Sequence, residues 1–189
     1  MIEVTPAHDF GGIATMLGPK NPESSVCWCL SWRPGSKENR ALVGVARADR
    51  VRALTRRTIA PGVLAHLDGE IVGWAGVAPR RDLYPIEHSR KIPHIDELPV
   101  WSVWCLRVRP GHRGQGITAA LIDGAVDYAR ASGAPAVESY PVDNAGKKVD
   151  QTMAFVGTRG MFERAGFSKA ADTDSASGGI PRIVMRLAL

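Results

Sequence analysis

The sequence predicts a mixed α/β fold with a central sheet of about six to seven strands and about four helices. Two observations support this prediction. Asp68-Gly69 separates two apolar segments within residues 63–78, which is typical of a β-hairpin with a tight turn. Further on, a strand-like segment (100–108), a helix-like segment (114–132) and a second strand (136–142) follow in the order of a parallel crossover.

The remaining elements are predicted from start and stop signals. Residues 2–4 form a short strand, and Thr5 and Pro6 are interpreted as the N-cap and first position of a helix that ends at Leu17. Apolar residues at helical spacing predict a second helix over 38–57. The later elements are an irregular segment at 80–99, a polar loop at 144–152, a helix at 156–165, and strands at 167–170 and 180–187 around a loop at 172–179.

The composition predicts one globular domain spanning residues 1–189. The net charge of +5 suits an anionic ligand, but Lys and Arg are dispersed without a dense basic run, so no nucleic-acid partner is expected. The sequence starts without a signal-peptide pattern, and no apolar run approaches the roughly 20 residues of a membrane span. We therefore expect a cytoplasmic protein without a membrane partner, a monomer or homodimer.

Three cysteines are too few for a disulfide framework and fit a reducing compartment. Cys27 and Cys29 supply only two possible ligands at a spacing that is unusual for zinc, so no metal is expected.

The strongest signal is a glycine-rich turn between the strand ending at Val108 and the next helix. The first amides of a helix have no intrahelical partner, and the helix dipole makes their surroundings positive. Gly114 and Gly116 carry no side chain that would keep an anion away, and Arg113 adds a charge. Residues 113–119 are therefore predicted to bind a phosphate or diphosphate.

Two common phosphate motifs fit this turn poorly. Gly111 and Gly116 have the spacing of G-x-x-x-x-G-K-[ST], but Ile117 stands where that motif needs lysine. Gly114, Gly116 and Ala119 match the dinucleotide pattern G-x-G-x-x-[G/A], which would imply an NAD(P)-linked oxidoreductase. That motif usually opens a fold with several later β-α units, whereas only 71 residues follow Thr118 (189 − 118).

A third motif, R/Q-x-x-G-x-G/A, is matched by Arg113 and Gly116, with Thr118 in place of the last small residue. Residues 162–167 resemble a second motif, an aromatic residue followed by x-x-x-Gly-Phe. With both motifs and this order of elements, the sequence resembles the GNAT superfamily of acyl-CoA-dependent N-acyltransferases.

The resemblance implies a cofactor, acetyl-CoA or another acyl-CoA, in a cleft between two splayed parallel strands at 103–108 and 136–142. The pantetheine arm would pair with the backbone of Leu106 and Val108, and an amide near Cys105 or Leu106 would polarise the thioester carbonyl. The residues expected at the cofactor are Leu106, Arg107, Val108, Arg113, Gly114, Gln115, Gly116, Ile117, Thr118, Ala119 and Phe162.

An amine acceptor is protonated at neutral pH, so acyl transfer requires a proton acceptor. Asp96, Glu97 and Glu138 are the candidate bases, with a structural or solvated carboxylate as the alternative for each. The family often uses a tyrosine as acid at the position of Phe162, which has no proton to give. Tyr140 on the neighbouring predicted strand is the candidate replacement.

Four residues are candidates for the acceptor site. Trp28, Cys29 and Trp32 lie in the loop between the first two helices, a region that shapes the acceptor pocket in relatives. Their rings could hold an amine by cation–π contact or could pack in the core. Tyr84 belongs to a cationic segment that either faces the acceptor or is a solvated surface.

The resemblance predicts transfer of acetyl from acetyl-CoA to a primary amine by direct attack in a ternary complex. The acceptor would be a small-molecule amine or a peptide amine. A non-catalytic acyl-CoA-binding module on the same fold is the main alternative, and the oxidoreductase is the other.

Overall fold

A computed structural model describes residues 1–150 and 155–189. Seven strands form one sheet in the order β1-β2-β3-β4-β5-β7-β6, and six α-helices occur in the described ranges, two more than the sequence indicated. The strands are β1 (Ile2–Pro6), β2 (Gly62–Leu67), β3 (Glu70–Pro79), β4 (Trp101–Val108), β5 (Ala136–Ser139), β6 (Ser168–Ser177) and β7 (Ile180–Ala188). The helices are α1 (Phe10–Leu17), α2 (Ser36–Ala41), α3 (Val45–Thr55), α4 (Tyr84–Glu87), α5 (Ile117–Ala131) and α6 (Arg159–Arg164).

The predicted mixed α/β class is confirmed, but both predicted N-terminal helices need correction. Thr5 and Pro6 belong to β1 and pair with β2, so Thr5 is not an N-cap. Asp9 caps α1 instead, because its carboxylate accepts hydrogen bonds from the amides of Gly11 and Gly12 at 2.8 and 2.9 Å. The segment 38–57 is two helices, because the chain turns at Gly44, whose φ of +51° ends the helical path.

The predicted hairpin is confirmed. Asp68 and Gly69 have φ values of +51° and +85°, the two positive values that a type I′ turn requires. The predicted loop at 172–179 is wrong, since β6 continues to Ser177. This edge strand is polar on both faces, and without an apolar face it gives no alternation of hydrophobic residues.

β4 and β5 are parallel neighbours that diverge after three residue pairs. The register joins Trp101 to Val137 and Val103 to Ser139, and β4 then continues for five residues without a partner in β5. The β3–β4 register also shifts between Gly76 and Val77, which places one extra β4 residue there. This divergence opens a cleft beside the second half of β4.

Two apolar clusters cover the two faces of the sheet. One lies under α5 and includes Val103, Leu121 and Phe162, and the other lies under α1 and includes Trp74 and Trp104. In the described part of the chain, no helix is long and apolar enough to cross a bilayer.

Candidate functional site

A cavity of about 1180 Å³ lies along the second half of β4, where β5 has turned away. It runs from the first turn of α5 to the loop at 27–32. A volume of this order accommodates a large cofactor together with a small second ligand. The lining includes Cys27, Cys29, Ser31, Trp32, Trp104, Cys105, Leu106, Arg107, Val108, Arg113, Gly114, Gly116, Ile117, Thr118, Ala119, Phe155, Gly157 and Met161.

One end of the cavity is the start of α5. Gly114 and Gly116 have φ values of +76° and +78°, and a Cβ atom on either would have nothing within 4 Å. Gly116 is the N-cap and offers no side chain to the amides that follow. The helix spans 15 residues, and Leu121 anchors it in the core. The residues of its first turn, Ile117, Thr118 and Ala119, line the cavity, and the first amides of a helix have no intrahelical partner, an arrangement suited to an anion.

Basic side chains surround this end. Arg107, Arg113, Lys147, Lys148 and Arg164 all line the cavity. Within the described residues, Asp123 is the one carboxylate in the lining. The donor amides, the bare glycines and the excess of cations fit the diphosphate and nearby phosphate of a coenzyme A.

Chain segment 155–158 crosses the cleft between the diverging strands. The Leu106 amide donates to the Phe155 carbonyl at 2.8 Å, and the Val142 amide donates to the Gly157 carbonyl at 3.2 Å. The amide expected at a thioester carbonyl thus has a partner within the chain itself.

Phe162 lies at the floor of the cleft rather than in the cavity lining. Its ring is fully buried and packs against Phe167 with centroids 5.2 Å apart. A Cβ atom on Gly157 would lie only 2.8 Å from that ring, so the 155–158 segment passes directly over it. The position where the family resemblance implies a tyrosine is here part of the apolar core.

Two of the predicted catalytic residues form a buried polar cluster with Arg80. Glu138 is fully buried, accepts from Arg80 Nη1 at 2.8 Å, and lies 2.6 Å from Arg186 Nη2. The Tyr140 hydroxyl donates to Glu138 at 3.0 Å and lies 2.9 Å from Ser102 Oγ. Burial and then the charge of Glu138 raise the pKa of Tyr140, so the phenol stays protonated.

The other two predicted bases lie further out. Asp96 is bonded to Arg186, whose hydrogen bonds lower the pKa of that carboxyl group. Glu97 is exposed on the segment before β4. Neither belongs to the cavity lining, and neither do Glu138 and Tyr140. Three of the four candidates, Asp96, Glu138 and Tyr140, therefore lie around Arg186 and Arg80, outside the cavity lining.

The opposite end of the cavity is walled by aromatic rings. Trp32 stacks on Tyr140 at 6.2 Å and meets Phe155 edge-on at 6.4 Å. Behind them, the guanidinium of Arg182 lies 5.1 Å from the Trp32 ring centre and 5.5 Å from that of Phe155. Burial lowers the pKa of Arg182, and the two ring faces offset part of that desolvation.

The four expected acceptor residues separate into two pairs. Cys29 and Trp32 line the cavity. Trp28 is buried and stacks on Phe10 at 5.8 Å, whereas Tyr84 is about half exposed and stacks on His88 at 4.1 Å. Trp28 and Tyr84 thus lie outside the lining.

Cys105 and Phe155 also line the cavity at this end, and neither was selected as a cofactor or acceptor residue from the sequence. Cys105 could have been selected because it precedes Leu106 on the cofactor strand. The family resemblance had implied a position beside the cofactor arm for Phe155, whose carbonyl accepts from Leu106 on β4.

The sequence model of the acetyltransferase (GNAT) family matches residues 26–167. A sequence search of curated proteins found no match. A ribosomal-protein-alanine N-acetyltransferase from Brucella melitensis has a TM-score of 0.56 at 16% identity, covering 99% of both chains.

Two further solved structures share the fold. YncA from Salmonella typhimurium, solved with its cofactor acetyl-CoA, has a TM-score of 0.55 at 17% identity and covers 100% of this chain and 94% of its own. A chain of the NatC complex, solved with Gag peptide and CoA, has a TM-score of 0.55 at 14% identity, with coverages of 100% and 98%. At these identities the likeness concerns the fold. Because the family match spans well over half of the sequence, this chain belongs to the acetyltransferase (GNAT) family, whose co-substrate is acetyl-CoA or another acyl-CoA.

Proposed function

We propose that this protein transfers an acyl group, acetyl in the simplest case, from an acyl-CoA to a primary amine. The observation that carries the proposal is the continuous path from the glycine-flanked start of α5, along β4, to the aromatic end of the cavity. The family and the basic lining support the cofactor. The aromatic end supports an amine acceptor, because ring faces attract cations.

In this proposal the amides of residues 117–119 hold the diphosphate, with Arg113 beside them. The pantetheine arm follows Leu106 and Val108, which brings the thioester toward Cys105. The amine nitrogen attacks the thioester carbonyl carbon, the carbon–sulfur bond breaks, and coenzyme A leaves as a thiolate. Positioning supplies most of the rate enhancement, because both reactants are held at attack distance.

The proton route runs through the open cavity in this proposal. The ammonium releases one proton to water in the cavity before attack, and the second proton, which the nitrogen loses as the amide forms, goes to the departing thiolate. Asp96, Glu97, Glu138 and Tyr140 remain predicted participants. None of the four lines the cavity, and the packing of Tyr140 against Trp32 supports an indirect role for Tyr140 at the acceptor end.

The test is an acceptor screen with acetyl-CoA, in which free thiol release is followed and acetylated products are identified by mass. We expect amine-dependent thiol release with at least one class of small or peptide amine. The NAD(P)-linked alternative is tested in parallel by titration with nicotinamide dinucleotides, which we expect not to bind.

A non-catalytic acyl-CoA-binding module is the second candidate. It is favoured by the Leu106 amide, which already bonds to Phe155, and by the distance of the predicted acid and bases from the cavity. Tight coenzyme A binding without turnover across the whole amine panel would establish this candidate and reject the enzyme.

A further inference from the structure

All three cysteines of the chain meet at the aromatic end of the cavity. Cys27 is exposed, and its sulfur lies 3.0 Å from the Ser31 hydroxyl. Cys29 and Cys105 also line the cavity, but they are only 6% and 8% exposed. The acyl-transfer proposal uses none of these thiols.

Cys29 and Cys105 come from a loop and a strand and lie side by side. Cys105 on β4 is the register partner of Gly76 on β3. A Cβ atom on Gly76 would lie 3.2 Å from the Cys29 sulfur, so the bare glycine leaves room for this sulfur next to β4. Both side chains belong to one buried cluster, and the indole of Trp104, the residue before Cys105, donates to the Cys29 carbonyl at 3.3 Å.

The surroundings of Cys29 favour a thiolate. Burial raises its pKa, but Cys105, the indoles of Trp74 and Trp104, and the charge of Arg33 lower it to below the ordinary value. Within the described residues, Trp74 Nε1 is buried without a hydrogen-bond partner. Burial lowers the pKa of Arg33 to about 10, so it is still a cation at neutral pH.

Cys105 has the opposite tendency. Its interaction with Cys29, followed by burial, raises its pKa well above the ordinary value. One member of the pair therefore ionises first while the other keeps its proton. An ionisable thiol that a small molecule can reach, next to a second thiol, is the arrangement of an oxidisable pair.

We propose that Cys29 and Cys105 form a peroxide-sensitive dithiol that closes to a disulfide inside the cavity. The Cys29 thiolate attacks hydrogen peroxide, the oxygen–oxygen bond breaks, and the products are a sulfenic acid and hydroxide, which takes a proton to become water. Cys105 then attacks the sulfenic sulfur and expels a second water as the sulfur–sulfur bond forms. Two thiols are oxidised, and one peroxide is reduced to two waters.

The disulfide ties the loop at 27–32 to β4 at the end of the cavity where the thioester is expected. Oxidation would therefore alter the acceptor end while leaving the start of α5 unchanged. The thiol chemistry does not depend on the proposed function, because it can be counted without any transfer assay.

The test uses the full chain, reduced and then treated with hydrogen peroxide. The protein is denatured, alkylated with N-ethylmaleimide and weighed intact. The reduced protein accepts three labels, one for each cysteine. After oxidation we expect one label, and the mass of the protein without its label should be two hydrogen atoms lower than that of the reduced chain. Phosphine reduction should restore three labels. Peptide mapping should identify a Cys29–Cys105 cross-link in the monomer.

Cys27→Ser is the matched control, because Cys27 lines the same cavity but contacts a hydroxyl instead of a thiol. This variant should still form the cross-link, whereas Cys29→Ser and Cys105→Ser should not. Mapping of the wild type keeps the test decisive if either variant folds poorly. Three labels after oxidation, a cross-link through Cys27, or stable oxidation of one thiol without a disulfide would overturn the proposal.

Discussion

Gly116→Asp probes the anion-binding end of the cavity most directly. The residue has φ of +78°, so any L side chain there costs roughly 1–2 kcal/mol of left-handed strain. A Cβ atom at Gly116 has nothing within 4 Å, so packing adds no further cost. The new carboxylate would project into the space proposed for the diphosphate.

Gly111→Asp is the matched control. Gly111 has φ of +89°, is equally unobstructed, and lies in the same turn, but it is not part of the cavity lining. Both substitutions change the net charge equally and impose a similar backbone strain. Their difference therefore isolates the local effect of the carboxylate on the bound anion.

The expected difference follows from Coulomb's law. Two unit charges about 5 Å apart, at an effective dielectric constant of about 20, repel by about 3 kcal/mol. That energy corresponds to a Kd for coenzyme A that is roughly 100-fold higher in Gly116→Asp than in Gly111→Asp. Isothermal titration calorimetry at fixed ionic strength measures the two Kd values, and urea unfolding checks that both variants are folded. Kd values within about threefold of each other would refute the proposed diphosphate site.

The buried cluster around Glu138 gives two further predictions. Glu138→Ala removes the nearer carboxylate of buried Arg80 and leaves only the 3.5 Å ion pair with Glu87, so urea unfolding should show a loss of about 3–5 kcal/mol. The exposed ion pair of Asp127 is the control, and Asp127→Ala should cost about 0–1 kcal/mol; equal losses would contradict a structural role for the cluster. Tyr140→Phe removes a hydroxyl that bonds within this cluster, so we expect a stability loss of about 1 kcal/mol with kcat unchanged. A lower kcat at unchanged stability would instead identify Tyr140 as the proton donor.

The elements that the sequence predicted well are those whose signals are local. The Asp68-Gly69 turn needs two positive φ values, and this residue pair favours them wherever it occurs. The turn before α5 is equally self-contained, because Pro110 cannot continue β4 and the glycines allow the left-handed path. Both were placed within a few residues of their observed positions.

The errors arose where a competing contact lay far away in the sequence. Thr5 has the right chemistry for an N-cap, but its pairing with β2 keeps it in a strand. Glu138 stays a predicted base, but nothing in the sequence indicated that Arg80 and Arg186, from remote elements, pair with its carboxylate. Sequence patterns give the residue types that a site requires, whereas the three-dimensional partners decide which of them are already engaged.

The hydrogen bond between Leu106 and Phe155 has a consequence for the order of binding. A pantetheine arm that runs along β4 would have to take the Leu106 donor away from the Phe155 carbonyl. Phe155 also forms part of the wall with Trp32, so its displacement would reshape the pocket that receives the amine. Under the proposed reaction, the acceptor would meet its finished pocket only after the coenzyme has arrived, and the kinetics would be those of a compulsory sequence with acyl-CoA first.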